Sequence, residues 1–196
     1  MSAILTSLRN TVIVGVILAV IVFLAITSGG VQTTTYDVPF WQYVFRYLHI
    51  LSGVMWIGLL WYFNFVQIPS MPKIPDEQKP AIGKVIAPEA LFWFRWGAMS
   101  TLVTGLILAF LNGYIVPALL LQPGAQFIGV GMWLAIIMWF NVWFVIWPNQ
   151  KKALGMVQVE PADKAKAARM AMLFSRTNTV LSVPMLLCMA AQSHIG

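Results

Sequence analysis

Charge is what this chain has least of. Only 9% of its residues are Asp, Glu, Lys or Arg, where a soluble domain carries roughly a quarter. The 6 acidic residues fall in loops or at the ends of apolar runs. That excludes a catalytic carboxylate pair and a transporter carrying protons on an intramembrane Asp or Glu. Cysteine is nearly absent as well. The single Cys188, inside an apolar run, excludes an internal disulfide, a Cys-rich zinc site and the C-x-x-C-H attachment of a c-type haem. No stretch has the pattern of a nucleophile triad or a phosphate loop. Histidine occurs twice, at His49 and His194.

What is present is apolar: 60% of the 196 residues are hydrophobic, with 9 Trp and 12 Phe. This composition describes an integral membrane protein, all-α, a helical bundle of five transmembrane helices forming one membrane domain over residues 1–196. The apolar runs place the spans at about residues 12–28, 41–69, 92–115, 127–148 and 170–194. No length remains for a separate soluble catalytic domain. The run at 12–28 competes with a signal peptide, but one preceding arginine (Arg9) and no A-x-A site favour an uncleaved, lipid-facing helix. Pro69 and the Pro148–Lys152 stretch read as helix ends, Pro161 as a helix start and Pro184 as a kink.

The net charge of +6 is a matter of topology, and no nucleic-acid partner is expected. Lys and Arg gather in the loops 70–89 and 149–170 and at Arg9, whereas 29–40 and 116–126 hold none. The positive-inside rule then predicts a cytoplasmic N-terminus and an outer C-terminus.

The span from Trp41 to Pro69 carries groups a purely lipid-facing helix would not hold. At helical spacing Arg46, His49, Gly53, Trp56 and Asn64 fall along one side. Each polar group costs free energy in lipid unless it finds a partner, so this helix reads as the wall of a site. His49 stands 20 residues from Pro69 and His194 stands 18 from Arg176, about 30 and 27 Å of helix. Both imidazoles are therefore expected at one level near the outer side. Two histidines at one level on two helices suit the axial positions of a haem b. Gly53 and Ala190, each near a histidine, leave space for a macrocycle, with Trp56 one turn further along. Arg46 stands where a propionate would emerge. The plainer reading of a histidine at this depth is an interfacial anchor or a packing residue. Asn64, Asn141 and Asn178 are expected to form an interhelical hydrogen-bond cluster; Met185 and Met189 suit haem ligation or sulfur–aromatic packing, and packing is the favoured reading.

Three stretches resemble a known family: R-Y-L-H-I-L-S-G-V-M-W-I-G at 46–58, N-V-W-F-V-I-W-P-N-Q-K-K at 141–152, and R-T-N-T-V-L-S-V-P-M-L-L-C-M-A-A-Q-S-H at 176–194. They are similar to the membrane domain of bacterial urate hydroxylases (the urate oxidase N-terminal domain). The resemblance covers about 41–194. It implies a membrane redox protein of the bacterial inner (cytoplasmic) membrane in which His49 and His194 occupy family positions. Two features depart from the pattern. Full-length members carry a cytochrome c domain after the membrane part, and this sequence ends at Gly196. Relatives often have a further histidine where this chain has Thr177. Both point away from urate oxidation by this chain alone and leave electron transfer through a haem. The expectation is a b-type haem subunit passing electrons to an outer-side c-type cytochrome or within a larger membrane complex. The alternative is a cofactor-free structural or assembly subunit packed against other membrane proteins.

Overall fold

In the computed structural model, which describes residues 2–28 and 36–192, every regular element is a helix. In chain order these are α1 (Ser2–Leu5), α2 (Leu8–Ser28), α3 (Val38–Lys73), α4 (Lys79–Leu111), α5 (Ile115–Leu119), α6 (Gln126–Ala153) and α7 (Pro161–Ala191). Five of them, α2, α3, α4, α6 and α7, are long and apolar enough to cross a membrane. The chain forms two compact units, Met1–Trp41 and Gln42–Gly196.

In the first unit no residue of the apolar window Leu8–Ala25 is buried. The hydroxyls of α2 serve the helix itself: Thr27 Oγ1 donates to the Phe23 carbonyl at 2.8 Å. Bonding within the helix in this way leaves no unpaired donor on an apolar surface. Phe40 meets Phe23 and Tyr36, with ring centroids 6.2 and 5.0 Å apart.

The second unit has a core to which each of its long helices contributes. Trp56, Leu60 and Phe63 of α3, Leu91, Phe94 and Ala98 of α4, Met138, Val142 and Ile146 of α6 and Met185 of α7 form one buried cluster. Close approach of α3 and α4 needs Gly97, where an added Cβ would lie 3.3 Å from the Trp56 amide nitrogen. Polar side chains staple the helices. Ser52 and Ser100 share a 2.8 Å hydrogen bond, and Trp61 Nε1 donates to Ser182 Oγ at 3.0 Å. Between α6 and α7, Asn141 Nδ2 donates to Asn178 Oδ1, and Asn178 Nδ2 to the Met138 carbonyl, both at 2.9 Å. Asn64 stands apart from that pair and donates to the Leu60 carbonyl and to Ser175 Oγ.

The helices run past the prolines expected to end them. α3 continues through Pro69 to Lys73, α6 continues through Pro148 to Ala153, and α4 begins at Lys79, well before residue 92. The reason is local. Proline lacks an N–H and its ring clashes with the carbonyl four residues back. Just ahead of Pro69, Pro88 and Pro148 the helix widens into π segments, Tyr62–Gln67, Ile82–Ile86 and Asn141–Ile146. The residue preceding each proline then donates to the carbonyl five back: Ile68 to Phe63, Ala87 to Ile82 and Trp147 to Val142. A wider turn moves the offending carbonyl aside, and the helix survives. Pro184 has no such device, and α7 stays α-helical through it. α7 starts at Pro161, with Asp163 in its first turn.

Candidate functional site

His49 is held by α4. Its Nδ1 lies 2.9 Å from the Thr101 carbonyl oxygen and 3.4 Å from Thr104 Oγ1. A carbonyl can only accept, so Nδ1 carries the hydrogen and the lone pair of the neutral ring is left on Nε2. The Thr104 hydroxyl donates back along its own helix to the Ser100 carbonyl at 2.6 Å. The ring fits there because Gly105 has no side chain. A Cβ at Gly105 would stand 2.8 Å from His49 Cε1 and 3.0 Å from Nδ1. The glycine that accommodates this imidazole is therefore on α4, not on the histidine's own helix.

His49 lines a cavity of about 580 Å³, within the roughly 300–1,000 Å³ of small-molecule and cofactor sites. Thr101, Gly105 and Leu108 of α4, Ile128, Met132 and Ala135 of α6, and Met189 of α7 are among the residues of its largely apolar wall. Polar groups enter at a few points. Trp56 is buried, and its indole N–H has no acceptor among the described residues. Arg46 is exposed and has no carboxylate partner among the described residues, where the one ion pair is Lys79–Asp76. Tyr114, between α4 and α5, is half-buried; burial pushes its phenol up, with the Arg46 charge acting the other way. The phenol stays protonated at neutral pH. Gln192 closes one end, its Oε1 accepting from the Ile128 N–H at 3.1 Å and its Nε2 donating to the Gly124 carbonyl at 3.3 Å. That clamp satisfies a donor in the first turn of α6.

Of the residues singled out from the sequence, Arg46, His49 and Trp56 line one cavity. Gly53 does not line it, and a Cβ there meets nothing within 4 Å. Ala190 is exposed and off the wall. His194 lies outside the described residues; Gln192, two positions before it, lines the cavity. Met185 packs in the core, whereas Met189 lines the cavity. Thr177 is exposed and donates to the Leu173 carbonyl. Thr101, Gly105, Tyr114, Met132 and Gln192 were not foreseen as site residues. The spacing of Thr101, Thr104 and Gly105 reads as helix packing, which is also what brings His49 against them.

The residues present fit a haem at one axial position. An imidazole whose Nδ1–H is fixed by a backbone carbonyl and whose Nε2 is free is the arrangement of a metal-ligating histidine. The apolar wall suits a macrocycle, and Arg46 and Tyr114 suit its carboxylates. Among the described residues no group of three or more His, Cys, Asp or Glu could hold a bare metal ion.

No curated protein and no solved structure matches the chain. A family model described as Urate oxidase N-terminal matches residues 118–195, which takes in the end of α5, all of α6 and α7 and the stretches 141–152 and 176–194 but not 46–58. Over residues 118–195 the chain is thus similar to the urate oxidase N-terminal family.

Proposed function

We propose that the protein is a membrane-bound b-type haem electron-transfer protein. In this reading α2, α3, α4, α6 and α7 cross the bacterial inner membrane with the N-terminus cytoplasmic and the C-terminus outside. The large apolar side chains exposed along these helices, such as Val54, Phe65, Phe110, Phe144 and Val180, then face lipid. The observation that carries the reading is His49: a ring fixed through Nδ1 by the Thr101 carbonyl, on the wall of a 580 Å³ apolar cavity.

His49, from α3, and His194, beyond α7, would hold the haem iron. A haem b bound there would supply a one-electron couple. The chain's own part is to hold His49 Nε2 in place through Thr101, to exclude water with Leu108, Ile128 and Met132, and to offset carboxylate charge with Arg46. The electron acceptor is an outer-side c-type cytochrome or a neighbouring subunit of a larger complex. Matching of residues 118–195 to a urate oxidase family supports a redox setting.

The test is the visible spectrum of the protein purified from its native membrane. A low-spin b-type reduced-minus-oxidised spectrum is expected. His49→Ala and His194→Ala should each abolish it or convert it to high spin, and Met185→Leu should leave it unchanged. Absence of haem absorbance would replace this reading with that of a cofactor-free structural or assembly subunit.

A further inference from the structure

Arg95 stands in an apolar helix without a counter-charge. It is partly buried, and its Nε donates to the Leu91 carbonyl one turn back at 3.3 Å. Its guanidinium lies over the Trp147 ring of α6, with Cζ 3.3 Å from the ring centroid. Lys151, one turn further along α6, brings its Nζ to 5.6 Å from the same ring. No carboxylate pairs with either cation among the described residues. An indole face attracts a cation, but two like charges drawn to one ring repel each other, and an anion shared between them offsets that repulsion. With Nε engaged by Leu91, the remaining N–H groups of Arg95 stay free to grip a phosphate, a match a guanidinium makes bidentately.

We propose that Arg95, Trp147 and Lys151 bind the phosphate of an anionic phospholipid. The surroundings favour a lipid over a free phosphate ion. Phe92, Trp93 and Trp96, all within a turn of Arg95, and Phe144, one turn before Trp147, are exposed apolar side chains on which acyl chains would lie. Along α6 the sequence turns from apolar to basic across this one stretch, Val145 to Lys152, as expected at the level of a headgroup. An anionic leaflet lipid is the phosphate source at that depth. The inference rests on the membrane-spanning reading and is independent of haem.

The full chain in bilayer discs of phosphatidylcholine doped with phosphatidylglycerol, released into a native mass spectrometer, tests it. Wild type should retain phosphatidylglycerol in preference to phosphatidylcholine. Lys151→Gln, a surface change that leaves the fold alone, should weaken that preference about fivefold, the effect of roughly one membrane-facing cation. Arg95→Gln should weaken it by at least as much, and Arg95→Lys should keep part of it. Equal retention of the two lipids by wild type, or an unchanged preference in Lys151→Gln and Arg95→Gln, would overturn the proposal. So would displacement of the lipid by millimolar inorganic phosphate at constant ionic strength, which would mark a site for the free ion. A chain that stays in the aqueous phase and never enters the discs would instead overturn the membrane reading beneath it.

Discussion

At the scale of single residues, the site depends on a hydrogen bond that turns a generic imidazole into a directed one. The Thr101 carbonyl is a fixed acceptor because α4 carries it, so the His49 ring cannot rotate without leaving a polar group unpaired in an apolar setting. Gly105 is what permits that geometry. Gly105→Ala should push the ring off Thr101, lower stability by about 1–3 kcal/mol as overpacked sites do, and lose any bound haem. Gly53→Ala, with nothing within 4 Å of its new methyl, should stabilise helix α3 by roughly 0.5–1 kcal/mol and keep the cofactor. Thermal melts alongside absorbance separate the two, and a tolerated Gly105→Ala would remove that glycine from the account. His49 was legible in the sequence because a titratable ring in an apolar run demands a partner. The partner was not legible, since it is a backbone oxygen that any residue at position 101 would offer.

At the scale of elements, α6 and α7 are joined by a buried amide pair, and the energetics of that pair are specific. Asn178→Ala would strip the acceptor from Asn141 and one donor from the Met138 carbonyl, which keeps the Asn141 backbone N–H. Leaving buried groups bare costs about 1–3 kcal/mol. Asn141→Ala leaves only Asn178 Oδ1 bare and should cost less. The double variant should cost less than the sum, by a coupling of about 0.6 kcal/mol, the average for such bonds between membrane helices. A double-mutant cycle in a detergent unfolding titration measures this, and strict additivity would mean the pair is not coupled. Intramembrane asparagines announce a partner by their burial cost, so the pairing of Asn141 with Asn178 could be anticipated. That Asn64 bonds Ser175 instead could not, because helix neighbours are not encoded in any local pattern. The helix ends read at Pro69 and Pro148 differ from the structure for a related reason: the π turn that carries the helix past each of these prolines has no local signature.

At the scale of the whole molecule, five apolar runs in the sequence correspond to five long apolar helices. Run length and hydropathy are local quantities, and they survive folding. Orientation rests on loop charge alone. With Cys188 replaced by serine, a cysteine introduced at Gln122 should react with an impermeant maleimide in sealed cells, and one at Ala153 should not. Labelling at Ala153 but not at Gln122 would invert the assignment. The cavity's far wall was hidden for a different reason. Met132, Gln192 and Tyr114 share a cavity with His49 only through the packing of elements distant in sequence.

The π segments ahead of Pro69, Pro88 and Pro148 carry a consequence for reading any such chain. A turn closed by bonds to the fifth residue back spends an extra residue, about 100° of rotation at 3.6 residues per turn. Faces assigned on one side of each proline are therefore out of phase with faces assigned on the other. Each of these three helices has two wheels, not one. A comparison of chains with and without such a turn would slip by one position there, and a single-residue deletion in the segment would look harmless by length while re-aiming everything beyond it.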